Sequence, residues 1–528
     1  MAAVAAGVAL GELAAGLLSP SVSPVTAVGG AVIDAVPPGV KDWAISLFGT
    51  SDKLALLGGM ALAIAVLAGL AGVLERRRRF AGLAVIAVFG LVGAAAVLTR
   101  AEGSANAVAA PLLAAAVGLL LLRWLIQRLR EWSDAGPPAA APSDAGPAPA
   151  AAPSEAGPAP AAAAPDEEAQ ARPARRRFLQ SLGVTAAIAG VGGVLASTLR
   201  GAAAAVTELR GKLVLPGAAS RARPIPAGAE LSLAGLSPLV TPNRDFYRID
   251  TALRVPLVDP GEWKLKVTGL VDHEVELDLA GLLAKPLTER YITIACVSNE
   301  VGGDLIGNAR WLGWPVRELL AQAGPKPGAD MVLSRSVDGW TAGTPLEVLT
   351  DARDALLAVG MNGEPLPLEH GFPVRLVVPG LYGYVSATKW VTELKVTRFA
   401  DDVAYWTPRG WSDRGPIKTS SRIDVPRPGR RVDAGRVDFG GVAWAQHRGV
   451  GRVEVRVNRG EWQQAELAPA ISIDTWRQWK LSLPLGPGQY EVQVRAIDLA
   501  GVPQVEERAP VAPSGATGYH TVTVDVKS

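Results

Sequence analysis

The chain has 528 residues, and this length predicts several folding units because a single hydrophobic core stops growing at about 250–300 residues. A net charge of +2, with no block of Lys or Arg in the soluble half, argues against nucleic-acid binding, and a single cysteine excludes an internal disulfide. Apolar residues crowd the first 130 positions and the stretch after Arg177, whereas charged residues, prolines and tryptophans mix from about Lys212 onward. The sequence therefore predicts a membrane region followed by soluble domains.

Residues 1–130 form the predicted membrane region, with about four transmembrane helices. The candidate spans are charge-poor stretches close to the length needed to cross a bilayer, about 20 residues. They are residues 2–18, 54–74, 80–98 and 107–122. The region contains none of the chain's 4 histidines, so two histidines cannot hold a haem there. Its role beyond anchoring stays open.

Residues 131–173 are rich in alanine, proline and serine, a composition that cannot bury a core and that predicts a flexible linker. Residues 174–200 hold an Arg-Arg-Arg-Phe-Leu-Gln run at 175–180, followed by a moderately apolar stretch at 182–199. This segment resembles a twin-arginine export signal, and the alternative is an ordinary membrane helix beside an arginine stop. Cleavage of such a signal near the alanines at 202–205 stays open.

The arginines predict the orientation of the spans, because Lys and Arg are retained on the cytoplasmic side of a membrane. Arginines at 76–79 fill one short loop, and Arg123, Arg128 and Arg130 follow the fourth span, so both clusters lie on one side if all four stretches cross. The linker is then cytoplasmic, and the chain after Arg200 is extracytoplasmic. We therefore expect a multi-pass protein of the inner or plasma membrane.

The extracytoplasmic half divides into two predicted domains. Residues 201–425 mix short alternating runs with short helical patterns, which predicts an α+β domain, and residues 291–296 within it form a strand that ends at Cys296. Residues 426–528 show only alternating strands separated by turns, as in an immunoglobulin-like β-sandwich of about a hundred residues. A thiolate between a strand and a glycine-rich loop suits a soft, high-valent metal, although a lone cysteine is more often a buried apolar residue.

Several motifs occur in one order along this half of the chain. Residues 246–248 read Phe-Tyr-Arg, and residues 309–311 read Ala-Arg-Trp with a glycine at 313. Further on, Met-Asn-Gly-Glu-Pro-Leu-Pro stands at 361–367, His-Gly-Phe-Pro-Val-Arg at 370–375 and Lys-Trp at 389–390. With these motifs the chain resembles, from about Pro242 to Val526, the sulfite oxidase family of molybdopterin enzymes and its dimerisation-type C-terminal domain. The whole chain is therefore predicted to have a multi-domain fold: the transmembrane α-helices indicated by the apolar stretches, then the α+β molybdopterin-binding domain that the resemblance implies, then an immunoglobulin-like β-sandwich.

The resemblance also implies a cofactor, one molybdenum–molybdopterin per chain, and a set of site residues. Cys296 would be the thiolate ligand of the metal. Arg248 would be a second catalytic residue, beside the oxo face of the metal, where a planar cation can hold an oxyanion or polarise an oxo substrate; the alternative for Arg248 is an ion pair at a strand end. The implied cofactor-binding residues are Asn243, Tyr247, Arg248, Asp338, His370, Arg375, Thr388 and Lys389.

Departures from the family pattern concern the substrate more than the cofactor. The family's Cys-x-Gly-Asn-Arg is Cys-Val-Ser-Asn-Glu at 296–300, so Glu300 replaces a cation near the site and argues against simple sulfite binding. Trp411 stands where animal sulfite oxidases carry an active-site tyrosine, and the loop at 380–388 is one residue longer than usual. An uncharged or bulkier oxo donor, reduced as in the related periplasmic methionine sulfoxide reductases, therefore competes with sulfite.

The predicted function is oxygen-atom transfer between the extracytoplasmic molybdenum centre and a small oxo-acceptor or oxo-donor molecule. Electrons would pass to or from a redox partner, a cytochrome or a quinone-linked protein. The substrate, the direction of reaction and the partner stay open, and the family's C-terminal domain implies a homodimer. The alternative is a non-catalytic envelope binding or receptor protein that retains the scaffold, motivated by Glu300 and by the lack of haem ligands in the spans.

Overall fold

The computed structural model of the chain describes residues 1–18, 23–36, 52–99, 105–134, 167–198, 202–427 and 429–527. These residues divide into two compact units. The first contains Met1–Ala35 and Ser51–Gly201, and the second consists mainly of Ala202–Ser528. The predicted linker at 131–173 lies outside the described residues except at its two ends, which are helical.

The described part of the first unit is entirely helical apart from short turns. Its helices are α1 (Ala2–Leu18), α2 (Pro24–Ala35), α3 (Asp52–Arg77), α4 (Ala81–Leu98), α5 (Ala105–Asp134) and α6 (Glu167–Thr198). Four segments are long and apolar enough to cross a membrane: Ala55–Arg77, Ala81–Leu98, Asn106–Asp134 and Pro173–Leu195. They overlap the predicted spans at 54–74, 80–98, 107–122 and 182–199. The predicted span at 2–18 is a helix of 17 residues, shorter than these four.

Small residues allow α1 to lie close against α5. A Cβ added at Gly7 would lie 2.4 Å from the Ala114 carbonyl oxygen, and one added at Gly11 would lie 2.7 Å from the Ala114 Cβ. The two glycines are four residues apart and so share one face of α1, which is the Gly-x-x-x-Gly arrangement that brings helix backbones together. Close packing therefore holds α1 in the bundle although it is short.

The second unit begins with α7 (Ala202–Lys212) and continues as the predicted mixture of strands and helices. The further helices are α8 (Leu279–Leu283), α9 (Val316–Ala323) and α10 (Leu346–Thr350). The strands are β1 (Lys264–Gly269), β2 (Val275–Asp278), β3 (Thr288–Ala295), β4 (Ile306–Pro315), β5 (Met331–Ser336), β6 (Thr341–Pro345), β7 (Leu356–Met361), β8 (Glu364–Pro365), β9 (Arg375–Val377) and β10 (Val391–Thr397). One sheet has the order β2-β1-β10-β5-β6, and the other has the order β3-β4-β7-β8, with β9 paired to β7.

The β3-β4-β7-β8 sheet forms the framework of the candidate site. All residues of β7 are buried, as expected for a strand covered on both faces. Strand β4 adds Trp311, which is fully buried and donates its Nε1–H to the Ile292 carbonyl oxygen at 3.1 Å. Because β3 ends at Ala295, the chain leaves this sheet at Cys296.

The C-terminal part of the second unit contains strands and turns, as predicted. Its strands are β11 (Ser420–Val425), β12 (Arg431–Asp433), β13 (Gly435–Trp444), β14 (Val450–Val457), β15 (Gln463–Gln464), β16 (Glu466–Leu467), β17 (Arg477–Leu485), β18 (Gly488–Asp498) and β19 (His520–Lys527). They form two sheets, β11-β13-β17-β16 and β12-β19-β18-β14-β15, here called the C-terminal sheets. Buried side chains from both sheets, among them Phe439, Trp479 and Val494, share one core. Since β11 pairs with β13, the C-terminal sheets begin before the predicted boundary at 425.

Candidate active site

Cys296 stands at the neck of a closed turn, residues 296–305, which joins β3 to β4 and is called the Cys296 turn. The Cys296 N–H donates to the Leu305 carbonyl oxygen at 2.9 Å, and the Asn299 N–H donates to the Cys296 carbonyl oxygen at 3.1 Å. The Asn299 side-chain oxygen accepts the Leu305 N–H at 2.8 Å. These bonds hold both ends of the turn together and leave the thiol at the end of a strand, 8% exposed.

The surroundings of the Cys296 sulfur favour the thiolate once a cation is present. Burial raises the pKa of the Cys296 thiol, whereas the N–H and hydroxyl of Ser298, the charge of Lys389 and the N–H of Val297 lower it. Donors aimed at a buried sulfur stabilise its negative charge, and a bound metal cation would add to that effect. Burial thus favours the neutral thiol in the cofactor-free protein, while the surrounding donors could stabilise a metal-bound thiolate.

Three basic side chains, Arg248, Arg375 and Lys389, collect around Asp250 and are called the cation cluster. Arg248 Nε and Lys389 Nζ each lie 3.0 Å from Asp250 Oδ2. Burial, together with the charges of Arg375 and Arg248, lowers the pKa of Lys389 to about 8, and the charge and hydrogen bond of Asp250 oppose this shift. The cluster thus contains more positive than negative charge.

Arg375 is the most buried member of the cation cluster, with 3% of its surface exposed. Its guanidinium donates to three backbone carbonyl oxygens, of His370 at 3.2 Å, Leu376 at 3.3 Å and Ala387 at 3.4 Å. Burial lowers the pKa of Arg375 to about 10. Among the described residues, no carboxylate lies within ion-pair distance of Arg375, so its charge suits an external anion.

His370 carries a buried nitrogen that has no partner among the described residues. Its Nε2 lies 3.2 Å from the Asn243 carbonyl oxygen, whereas its Nδ1 is buried without a hydrogen bond. Burial and the cations Lys389 and Arg375 lower the pKa of His370 to about 3, so the ring is neutral. A carbonyl oxygen can only accept, so Nε2 carries the proton and Nδ1 is an acceptor available to a donor on a ligand.

Tyr247 connects the sulfur with the cation cluster. Burial raises the pKa of Tyr247, the charge of Cys296 raises it further, and the charge of Arg375 lowers it, so the phenol lies within the field of both groups. Its ring stacks on Phe246 with 5.3 Å between the ring centroids. The structure therefore brings Cys296, Tyr247, His370 and the cation cluster into one region.

Three predicted cofactor-binding residues already use their polar atoms within the protein. The Asn243 amide donates to the Met361 carbonyl oxygen at 3.2 Å and to Glu364 at 2.5 Å. The Thr388 hydroxyl pairs with the Ser334 hydroxyl at 2.7 Å. Burial raises the pKa of Asp338, whose carboxylate accepts the Trp340 N–H at 3.2 Å. With these hydrogen bonds, Asn243, Thr388 and Asp338 are suited to holding neighbouring segments of the protein in place.

Glu300 and Trp411 depart from the family pattern; Glu300 is exposed to solvent, whereas Trp411 is buried. Glu300 is exposed, and its backbone oxygen accepts the Gly303 N–H at 2.9 Å, so its charge lies on the solvent side of the Cys296 turn. Trp411 is 7% exposed, and its ring packs against Tyr384 and Trp406 with centroid distances of 5.8 and 6.2 Å. Trp411 is therefore part of an aromatic core.

Sequence reasoning missed two residues of this region. Asp250 supplies the shared carboxylate of the cation cluster; its position two residues after Arg248, which puts both side chains on one side of an extended segment, was an available signal. Tyr382 lies in the loop at 380–388, and burial together with the charge of Cys296 raises its pKa to about 12. Only the fold reveals that this second phenol lies near the sulfur.

The protein ligands alone do not form a metal site. Among the described residues, no group of three or more His, Cys, Asp or Glu could hold a metal ion. A metal at Cys296 therefore needs further ligands from a cofactor, and the cation cluster and His370 Nδ1 provide matching partners for a phosphate-bearing heterocycle. The residues fit such a group.

Comparison with known proteins points to the same chemistry. A family model described as the oxidoreductase molybdopterin binding domain matches residues 252–406, which include Cys296, His370, Arg375 and Lys389. The uncharacterized oxidoreductase YuiH of Bacillus subtilis is 37% identical over 157 residues, which cover 30% of this chain and 76% of that protein.

Two sulfite oxidases are similar over a longer stretch. Gallus gallus sulfite oxidase is 29% identical over 323 residues, 52% of this chain and 69% of that protein. Homo sapiens mitochondrial sulfite oxidase is 31% identical over 321 residues, 52% of this chain and 58% of that protein, so the chain spans little more than half of this relative. The crystal structure of the sulfane dehydrogenase SoxCD from Paracoccus pantotrophus aligns with 55% of this chain and 84% of that chain, at 24% identity and a TM-score of 0.48. The chain belongs to the sulfite oxidase family of molybdopterin-dependent oxidoreductases, enzymes whose cofactor is molybdenum–molybdopterin.

Proposed function

We propose that the chain is a membrane-anchored oxidoreductase that transfers an oxygen atom to or from a small molecule at an extracytoplasmic molybdenum centre, with Cys296 as the thiolate ligand. The proposal rests on one observation: the buried thiol of Cys296 lies near the cation cluster. Tyr247 is within the electrostatic influence of both Cys296 and Arg375, and Lys389 acts on the thiol itself. A thiolate ligates the metal and a cation cluster binds the anionic end of the cofactor. Neither feature alone requires this function.

Each part of the cofactor has a proposed partner. Arg375 and Lys389 would bind the phosphate, since buried cations gain most from a dianion. Arg248, the more exposed member of the cation cluster, would contact the cofactor on the side of the metal. His370 Nδ1 would accept a hydrogen bond from an N–H group of the pterin. Tyr247 would contact the cofactor between these groups, while Asn243, Asp338 and Thr388 would keep the neighbouring segments in place. When bound, the cofactor supplies a metal that exchanges two electrons as an oxygen atom is transferred.

Arg248 has a second proposed role toward the substrate. It is the more exposed partner of its pair with Asp250, at 33% against 8%, so it reaches solvent while the carboxylate orients it. A guanidinium held in this way can bind an oxyanion or polarise an oxo group through its terminal nitrogens. The ion pair expected at a strand end and the catalytic role are thus compatible.

The substrate is proposed to be a small oxo donor or oxo acceptor, sulfite or a sulfoxide type of molecule. The exposed Glu300 disfavours an anion at the Cys296 turn and so favours an uncharged substrate. Electrons would pass to or from a cytochrome or a quinone-linked partner. A non-catalytic protein that binds no anion would have no need for a buried Arg375 without a carboxylate within ion-pair distance, because burying a charge without a counter-charge is costly.

The membrane arrangement is a further part of the proposal. The segments Ala55–Arg77, Ala81–Leu98, Asn106–Asp134 and Pro173–Leu195 would cross the membrane, with the arginines at 76–79 in the cytoplasm. The second unit then lies outside the cytoplasm. The twin-arginine-like run at 175–180 would direct export, and it lies within α6. The C-terminal sheets would form an immunoglobulin-like sandwich that supports a homodimer.

Elemental analysis of the purified chain, expressed with intact molybdopterin synthesis and export, tests the central claim. We expect about one molybdenum per chain and a paramagnetic resonance signal from its intermediate oxidation state. Cys296→Ser should keep the pterin but lose those features of the resonance signal that depend on the cysteine sulfur. It should also lose turnover of sulfite or sulfoxides in an assay that uses redox dyes as the electron acceptor or donor. A folded protein without molybdenum, or an unchanged signal in Cys296→Ser, would overturn the proposal.

A further inference from the structure

The tip of the Cys296 turn contacts two residues that belong to the C-terminal sheets. Arg422 on β11 donates an Nη1–H to the Gly303 carbonyl oxygen at 2.7 Å. The ring of His520, the first residue of β19, lies against Gly302, where an added Cβ would be 2.3 Å from the ring carbon Cδ2. Gly302 also has a φ of +82°, so both its backbone and its neighbour require glycine.

Further hydrogen bonds hold the side chains of Arg422 and His520 in place. Arg422 is 8% exposed and also donates to Asp424 at 2.6 Å and to the Ser237 hydroxyl at 2.8 Å. His520 Nδ1 accepts the Ile423 N–H at 2.9 Å. A guanidinium with three partners and a ring held by a backbone bond have little rotational freedom, so they present a stiff surface to the turn.

The strand that leads into the turn is bonded to the same part of the chain. The Thr293 N–H donates to the Asp474 carbonyl oxygen at 2.9 Å, and the Thr293 hydroxyl accepts the Trp476 N–H at 2.9 Å. Gln446 Nε2 lies 3.4 Å from the Thr293 carbonyl oxygen. The C-terminal part of the second unit thus holds the chain on both sides of Cys296.

We propose that Arg422 and His520 are positioning residues that hold the Cys296 turn, so that the C-terminal sheets fix the direction in which the Cys296 sulfur meets the metal. This inference rests on the proposed ligand role of Cys296. It gives the C-terminal sheets a part in the active site beyond that of an interface. The Arg422–Gly303 hydrogen bond and the Gly302–His520 contact carry it.

A thiol assay on cofactor-free protein tests whether Arg422 and His520 hold the Cys296 turn, and it does not depend on enzyme turnover. Cys296 is the only cysteine in the chain, so the rate of reaction with an aromatic disulfide reagent reports its accessibility alone. Arg422→Gln removes the bond to Gly303, and we expect a rate increase of about tenfold or more from freer opening of the turn. His520→Ala should give a smaller increase, and His520→Asn should retain part of the wild-type protection.

Arg456→Gln is the matched control, because it makes the same change in the same sheets. Arg456 bonds Gln493 at 2.7 Å and Glu506 at 2.9 Å, partners that lie within the C-terminal part of the chain. We expect its thiol rate to stay within about twofold of wild type. If both glutamine variants speed the reaction equally, at equal loss of overall stability, Arg422 has only a general structural role and the inference fails.

The loaded enzyme provides a second readout. Arg422→Lys keeps one charged donor and should fold even if Arg422→Gln does not. We expect retained molybdenum, a shifted paramagnetic resonance signal and a lower kcat at unchanged KM. If Arg422→Lys raises the thiol reactivity but leaves the resonance spectrum unchanged, the inference about the direction of the sulfur is contradicted. The ligand role of Cys296 is tested separately, by the spectrum of Cys296→Ser. The two proposals therefore fail separately.

Discussion

The cation cluster and the Cys296 turn lie in one compact unit, yet different parts of the sequence hold them in place. Arg248 and Lys389 meet on Asp250, and Arg375 rests on backbone carbonyls of its own domain. The Cys296 turn is contacted instead by Arg422, which bonds Gly303, and by His520, which packs against Gly302; both lie more than a hundred residues further along the chain. The difference teaches that the cation cluster, proposed to bind the anionic end of the cofactor, is held within its own domain, whereas the Cys296 turn, proposed to carry the metal ligand, is also held by residues of the C-terminal sheets.

The largest expected effect separates two buried arginines, one on each side of this comparison. Arg375 lacks a carboxylate partner among the described residues, whereas Arg422 lies 2.6 Å from Asp424. Arg375→Met removes three charge-assisted hydrogen bonds but leaves no buried carboxylate unpaired, so it should cost the cofactor-free protein about 1–3 kcal/mol. Arg422→Met leaves Asp424 unpaired and should cost about 3–5 kcal/mol. Cofactor content should fall at least about tenfold in Arg375→Met. Equal destabilisation in thermal unfolding would break the comparison.

A second prediction concerns the contact between α7 and residues 364–366, which precede His370 in the chain. Arg210 donates to the carbonyl oxygens of Leu366 at 2.7 Å and Pro365 at 2.6 Å and pairs with Glu364 at 3.0 Å. Arg210→Ala should cost about 2 kcal/mol, because these bonds are charge-assisted and partly buried. Lys212→Ala removes only an exposed pair and should change stability by less than about 0.5 kcal/mol. Thermal unfolding in detergent distinguishes the two variants.

A third prediction follows from the pKa of His370, which burial and the cation cluster lower to about 3. The unfolded chain binds a proton at this residue below about pH 6.5, whereas the folded protein does so only near pH 3. Folding is therefore progressively weakened as the pH falls from 6.5 toward 3, by up to about 1.4 kcal/mol per pH unit from this group. His370→Gln should remove that slope and leave the slope of equal sign from His520, whose pKa is about 4. Urea unfolding of cofactor-free protein between pH 4 and 7 measures both.

The smallest expected effect belongs to Glu300. Its side chain is exposed, so Glu300→Arg should change the free energy of unfolding by less than about 0.5 kcal/mol and leave cofactor content unchanged. If the turn faces the incoming substrate, the KM for an anion should fall by less than about tenfold, with screening by salt. A KM equal to that of wild type at low ionic strength would remove Glu300 from the explanation of substrate choice.

Local patterns predicted the elements of this chain better than they predicted its contacts. The strand expected at 291–296 lies within β3 and its end, and the alternating runs after 426 became β14, β17, β18 and β19 because period-two burial is encoded residue by residue. The motifs at 370–375 and 389–390 named three members of the site, which the fold brings together. Arg422 carries no such local signal, because its bond to Gly303 depends on how two domains meet.

The unpartnered nitrogen of His370 and the buried charge of Arg375 have a consequence for the maturation of the enzyme. Both features weaken the protein without its cofactor and are relieved by a ligand that brings an N–H donor and a dianion. Ligand binding to the folded state alone adds stability in proportion to the logarithm of ligand concentration over Kd. Under the proposed export, a quality check that acts on stability would therefore pass loaded molecules and retain empty ones.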